Sequence, residues 1–148
     1  MGYIVLAFSA SSDQEALQLM AEELCKRGYV KPSYKEAVTT RERQFPTGLP
    51  VEPIGVAIPH TDTDHVLQGT ICLGIPEQPV IFSEMGVENG QVPVQLIFML
   101  AVADKSKHMG VLSRLTELFR DEEALRKLKS GEKAAVDEIL SGLSLQED

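Results

Sequence analysis

The sequence predicts a single domain of the α/β (or α+β) kind, a mixed sheet with helices packed on it. Three observations carry this. The chain is 148 residues long, the size of one domain, and is read as one unit over 1–148. Its hydrophobic periods run β-α-α-β-β-β-β-α-α-α, which is not a strict strand–helix alternation. Val94–Val102 is almost wholly apolar, as expected of a central strand covered on both faces.

Each element has its own local reason. Tyr3–Phe8 is a short, mostly β-favouring run and reads as a buried strand. Ser12-Asp-Gln-Glu15 has capping-box spacing, Leu17, Met20, Ala21 and Leu24 follow at helical intervals, and Gly28 ends that helix. A second capping box, Ser33-Tyr-Lys-Glu36, opens a helix that stops before Pro46. Pro46 to Pro59 contains four of the eight prolines and reads as a loop leading into a short strand, Gly55–Ile58. Further strands are expected at Thr70–Ile75, Val80–Phe82 and Val94–Val102. After Asp104 three helical stripes follow: Leu112, Leu115, Leu118 and Phe119; then Ala124, Leu125 and Leu128, ending near Gly131; then Val136, Ile139, Leu140 and Leu143.

Composition narrows the function classes. With 43% apolar and 24% charged residues the chain is neither disordered nor a coiled-coil rod. A chain of this length buries roughly 70% of its extended surface, enough for a core without staples. The longest apolar run, Leu96–Ala103, is far too short to span a bilayer. The first basic residue is Lys26, so the apolar start lacks the positive region of a secretory signal, and leucine at position 6 breaks the myristoylation pattern. A cytoplasmic location without membrane insertion is expected. The formal charge is −8, and Gln44–Asp104 holds no Lys or Arg. Nucleic acid needs clustered cations and is not expected as a partner. The acidic surface suits a basic protein partner, or serves solubility alone. Cys25 and Cys72 are too few for a disulfide framework or a zinc site, and read as small apolar residues.

Three residues break the local rules. Arg41 lies three after Val38 and four before Phe45, on their helical face, where a guanidinium needs an anion. It either receives an external anion, snorkels out, or pairs with Glu36 or Glu42. His108 falls in the first turn of a helix starting near Ser106. There the free N–H groups and dipole favour an anion and keep the ring neutral; a capping or packed histidine is the alternative. His60 ends Gly55-Val-Ala-Ile-Pro-His60, held at a strand end by a proline. Together these form a chemistry. A neutral imidazole is a nucleophile that accepts a phosphoryl group and releases it, and an arginine fork, helix N–H groups and a hydroxyl such as that of Thr47 receive its negative charge without a metal.

Arg41-Glu-Arg-Gln-Phe-Pro-Thr-Gly48, Gly55-Val-Ala-Ile-Pro-His60-Thr-Asp and Lys107-His108 before Val111-Leu-Ser-Arg-Leu115 resemble the IIA components of the bacterial sugar phosphotransferase system. The likeness is to the fructose–mannitol superfamily, and to galactitol-type IIA domains within it. It covers essentially the whole chain. The resemblance implies a mixed sheet of about five strands with helices on both faces. It implies that His60 takes a phosphoryl group from phospho-HPr through Nε2 and passes it to a cysteine of a IIB protein or domain, with membrane IIC involved only indirectly. His108 matches the histidine that supports the phosphorylated ring, Arg41 the arginine that pairs with the phosphate, and Pro46 and Thr47 the loop beside it. No cofactor is implied. Relatives often carry a small residue after the active histidine; here it is Thr61, whose hydroxyl is a candidate extra donor.

Two other functions compete. A nitrogen-type regulatory IIA protein would take the same group but use it to control a target. A metal-dependent hydrolase would draw on His60, Asp62, Asp64 and His65, although in an extended segment His65 points away from the other three.

Overall fold

A computed structural model describes residues 2–145, with side chains up to 143. In chain order the elements are β1 (Gly2–Phe8), α1 (Asp13–Lys26), α2 (Ser33–Gln44), β2 (Gly48–Leu49), β3 (Gly55–Ala57), β4 (Thr70–Pro76), β5 (Val80–Ser83), β6 (Gln91–Ala101), α3 (His108–Leu118), α4 (Glu122–Ser130) and α5 (Lys133–Leu145). Short 3₁₀ turns occupy Thr63–His65 and Lys105–Lys107. Among the described residues these strands form one six-stranded mixed sheet of order β1-β4-β6-β3-β2, with β5 pairing the first half of β6. The α/β class is as expected.

The helices start and stop for local reasons. The Ser12 hydroxyl accepts the Glu15 N–H, and the Glu15 carboxylate answers at the Ser11 N–H. The Asp121 carboxylate accepts the Ala124 N–H to open α4. Gly28 and Gly131, at φ of 84° and 72°, adopt the left-handed conformation that closes α1 and α4. The expected capping box at Ser33 does not form. Pro32 stands at the N-cap of α2, and the Ser33 hydroxyl lies 2.8 Å from His65 Nδ1 instead. A proline there leaves one fewer orphan N–H to satisfy nearby, and it frees the serine for a tertiary contact.

Two apolar layers sandwich the sheet. Ala16, Leu17, Met20 and Leu24 of α1 and Tyr34 and Val38 of α2 cover one face, against Cys72, Phe82, Ile97 and Met99. Val111 and Leu115 of α3, Leu125 and Leu128 of α4 and Val136 and Leu140 of α5 cover the other, against Ile71, Leu73, Phe98 and Leu100. Along β6 the alternation slips once. Val92 and Val94 belong to the first layer, and so do Ile97, Met99 and Ala101. The even-to-odd change coincides with a register shift against β3, where Gly55 pairs Val94 but Val56 pairs Leu96. One extra residue in a strand inverts its facing, which is the effect of a β-bulge.

The sixth strand is β2, a two-residue strand antiparallel to β3. Prolines at 46 and 50 bracket it, so no alternating run marks it in the sequence. β6 begins at Gln91, before Val94, because β5 supplies ladder partners through Ile81–Pro93 and Ser83–Gln91. Tertiary pairing overrides the local signal against strand at Pro93.

Candidate functional site

The topology brings the two histidines together. β3 and β6 are adjacent and parallel, with Ala57 opposite Ile97, so both chains leave the sheet at the same edge. His60 follows β3, and its backbone bridges to Leu100. β6 ends at Ala101, makes the short turn at Lys105–Lys107, and enters α3 at His108. The Asp104 carboxylate fixes that turn by accepting from the Ser106 N–H at 3.0 Å and hydroxyl at 2.7 Å, which also holds its own pKa down. The imidazole centroids are 4.9 Å apart with their planes at 65°.

Arg41 reaches the same place from α2. The Tyr34 hydroxyl, two turns earlier on that helix, donates to the Leu100 carbonyl at 2.7 Å, while the Leu100 N–H donates to the Pro59 carbonyl at 3.0 Å. One β6 residue therefore registers both the arginine helix and the histidine strand end. Arg41, His60, Thr61, Asp62, Lys105, His108 and Met109 line a cleft of about 520 Å³. Arg41 is half-buried, makes no ion pair among the described residues, and leaves its Nε buried without a hydrogen-bond partner. Its guanidinium carbon stands 5.4 Å from the centre of the Phe45 ring. A buried guanidinium N–H with no acceptor is a vacant donor at a cleft lined by two imidazoles.

The expected helical face is corrected in one respect. Tyr34 and Val38 are fully buried, but the residue continuing their i, i+4 row is Glu42, at 3% exposure. Phe45 lies beyond the helix end and is 60% exposed. Arg41 sits at the margin of the buried face, where a cation can meet solvent and cleft together.

His60 carries the clearest chemical information. Its Nδ1 lies 2.8 Å from the Ile58 carbonyl oxygen. A carbonyl only accepts, so Nδ1 bears the hydrogen and Nε2 keeps its lone pair. Burial lowers the pKa of this ring most; the Ile58 hydrogen bond opposes that, and the charges of Arg41 and His108 lower it further. His108 is lowered by burial and then by Arg41, with Asp62 opposing. Both rings are therefore held neutral near pH 7. The arrangement offers a neutral nitrogen nucleophile beside a second imidazole and an uncommitted guanidinium.

The remaining expected site residues divide. Thr61 lines the cleft but gives its hydroxyl hydrogen to the Asp62 carbonyl at 2.8 Å. Pro46 and Thr47 do not line it. The Thr47 hydroxyl is engaged between Glu42 and the Ile58 N–H. His65 does stand apart from the cleft, but because Thr63–His65 is a 3₁₀ turn and not the extended segment expected: it turns to Ser33 and lines a neighbouring pocket. Among the described residues no three His, Cys, Asp or Glu side chains are grouped to hold a metal ion. Sequence reasoning missed Lys105 as a cleft residue and Glu42 as a buried acid. Lys105 carries no signal, whereas Glu42 was findable from its four-residue spacing after Val38. Cys72 is buried with its thiol pushed up to about 12, and neither cysteine lines the cleft.

Residues 1–142 match the model of the family described as "Phosphoenolpyruvate-dependent sugar phosphotransferase system, EIIA 2". The chain belongs to this family. Among its EIIA relatives, the fructose-specific EIIABC component of Bacillus subtilis is 32% identical over 87% of this chain, and the galactitol-specific EIIA component of Escherichia coli is 31% identical over 66%. The chain spans 20% and 65% of those two proteins respectively. Among solved EIIA structures, the mannitol enzyme IIA of E. coli, in its complex with phosphorylated enzyme IIB, superimposes with a TM-score of 0.75 at 29% identity over 94% of each chain. Similarity to EIIA proteins of three sugar specificities at nearly equal identity shows the family and does not select a sugar.

Proposed function

We propose that this chain is a phosphoryl carrier of the sugar phosphotransferase system, with His60 as the residue that takes the group. The observation that carries the reading is the His60 tautomer: Nδ1–H is engaged by the Ile58 carbonyl, so Nε2 is the free nucleophile, with His108 at 4.9 Å and Arg41 in the same cleft. Nε2 attacks phosphorus, the bond from phosphorus to the donor's phosphohistidine nitrogen breaks, and that electron pair returns to the donor ring. The His60 ring gains imidazolium character, which the Ile58 carbonyl stabilises through Nδ1–H. The phosphoryl oxygens fall to the Arg41 fork and the His108 ring.

The donor in this reading is phospho-HPr and the acceptor a cysteine thiolate of a IIB protein or domain. The thiolate attacks phosphorus, and the P–Nε2 bond breaks to restore the neutral ring. Neither Cys25 nor Cys72 lines the cleft, which supports a IIB protein or domain as the source of that thiolate. Galactitol or a related sugar is the proposed end of the relay, on the form of the Arg41–Gly48 and Ala57–Asp62 motifs rather than on overall identity. Among the described residues no helix is long and apolar enough to cross a membrane, and the carrier is proposed to work in the cytoplasm. Incubation with phosphoenolpyruvate, enzyme I and HPr should label the wild-type chain on one histidine and leave His60→Ala unlabelled. A label retained by that variant would overturn the assignment.

A further inference from the structure

We infer that Glu42 and Thr47 are positioning residues for the reacting histidine, setting the tautomer of His60 through Ile58. This deepens the carrier reading and rests on it. The connection is continuous. The Thr47 N–H donates to Glu42 Oε2 at 2.7 Å and the Thr47 hydroxyl to Oε1 at 2.8 Å. A hydroxyl has one hydrogen, so with that hydrogen given to Glu42 the Thr47 oxygen can only accept, and the Ile58 N–H donates to it at 3.2 Å. The Ile58 carbonyl in turn accepts from His60 Nδ1 at 2.8 Å.

Ile58 is thus held on both sides: its N–H by Thr47, its backbone by Pro59, whose ring keeps the preceding residue extended. With those two constraints the carbonyl has one direction, towards the histidine ring. Without them the ring loses the acceptor that keeps hydrogen on Nδ1, and the tautomer with hydrogen on Nε2, which has no lone pair there for attack, becomes populated.

Among the described residues Glu42 has no other hydrogen-bond partner. A carboxyl at 3% exposure is an expensive way to join a helix end to a strand, since a packed apolar pair does so without desolvation. What an apolar pair cannot do is orient a hydroxyl. Threonine at 47 and glutamate at 42 are both required for that orientation, and both fall in the Arg41–Gly48 segment that also supplies the arginine.

The test compares Thr47→Val, Thr47→Ser and Glu42→Gln with wild type in two measurements. Long-range ¹H–¹⁵N correlation of the His60 ring, above its titration range, reads the tautomer without any phosphoryl donor. Single-turnover labelling from phosphorylated HPr reads the rate. Wild type should show hydrogen on Nδ1 alone. Thr47→Val should show a second tautomer and slow labelling about tenfold, the lower end for losing an outer partner that fixes a histidine's tautomer. Thr47→Ser, which keeps the hydroxyl, should restore both. Glu42→Gln preserves shape but sets an amide N–H₂ or a single carbonyl against two donors, and should shift both readouts in the same direction. It decides the matter if the valine variant does not fold. A single Nδ1–H tautomer in Thr47→Val and Glu42→Gln, with or without a slower rate, overturns the inference. Labelling of His60→Ala would instead overturn the carrier reading while leaving the tautomer result standing.

Discussion

Replacing Arg41 by alanine separates function from stability. In the resting protein its Nε is buried and unpartnered, a state that costs about 1–3 kcal/mol for such a group. Against this stands the contact with Phe45, a ring 60% exposed, worth about 0.5–1 kcal/mol, plus some packing of the aliphatic stem. These contributions nearly cancel, so Arg41→Ala should leave the unfolding free energy, read by urea titration, within about 1 kcal/mol of wild type. Transfer should suffer far more. Loss of one preorganised donor to a developing anion slows reaction by about 10²–10³, or about 3–4 kcal/mol. The pH dependence adds a signed test. The nucleophile is the neutral ring, so labelling rises with pH through the His60 pKa, which lies below the ordinary imidazole value of about 6.5. The Arg41 charge contributes to that depression in both rings. Its removal raises both values, and the acid limb of the rate profile should move to higher pH. Arg41→Lys keeps the charge and should leave the limb in place while losing about tenfold in rate with the planar fork. The assay is rapid-quench labelling from phosphorylated HPr between pH 5 and 8. A rate within threefold of wild type, an acid limb displaced downward, or a loss of several kcal/mol in stability would each refute the reasoning.

Other expectations follow from single residues. His60→Ala should fold normally and accept no label, checked by intact mass after incubation with the donor system. His108→Ala should be labelled, because Nε2 of His60 is unchanged, but should hand the group on slowly; measuring decay of the phospho-form with and without a IIB protein separates the two steps, and unimpaired transfer would remove His108 from the site. The same onward assay distinguishes a carrier from a regulatory protein, which should stall in the phospho-form. Gly55→Ala should destabilise the sheet by about 1–3 kcal/mol, since its Cβ would stand 2.5 Å from the Pro93 carbonyl oxygen at the β3–β6 bulge. Denaturant titration reads that loss, and an unchanged midpoint would show that the bulge adjusts freely.

The five helices and five of the six strands were legible because each follows from local rules. A capping serine, an apolar row at 3.6-residue spacing and a proline before a histidine act over a few residues, and the chain carries them wherever it folds. The Arg41–Gly48 and Gly55–Asp62 segments also carried the family likeness, since they hold most of the chemistry in two short stretches. Other features were not legible. β2 exists only because β3 offers it an edge, and β6 extends through Pro93 only because β5 pairs with it. The Ser33 capping box yielded to a contact with His65 thirty-two residues away. The face of α2 was assigned to Arg41 when the buried position is Glu42, because the two differ by a single residue, about 100° around the helix.

What the amino-acid sequence determined alone was the inventory: one α/β chain, two histidines and an arginine of the right chemistry, and no basic stretch for nucleic acid. What only the tertiary structure decided was their meeting. Positions 41, 60 and 108 converge because β3 and β6 run parallel side by side, and because Leu100 anchors both α2 and the end of β3. The tautomer of His60 was decided in the same way, by a carbonyl whose direction depends on Thr47 and Glu42. Hydrogen bonds between distant segments are properties of the folded chain, and no local pattern encodes them.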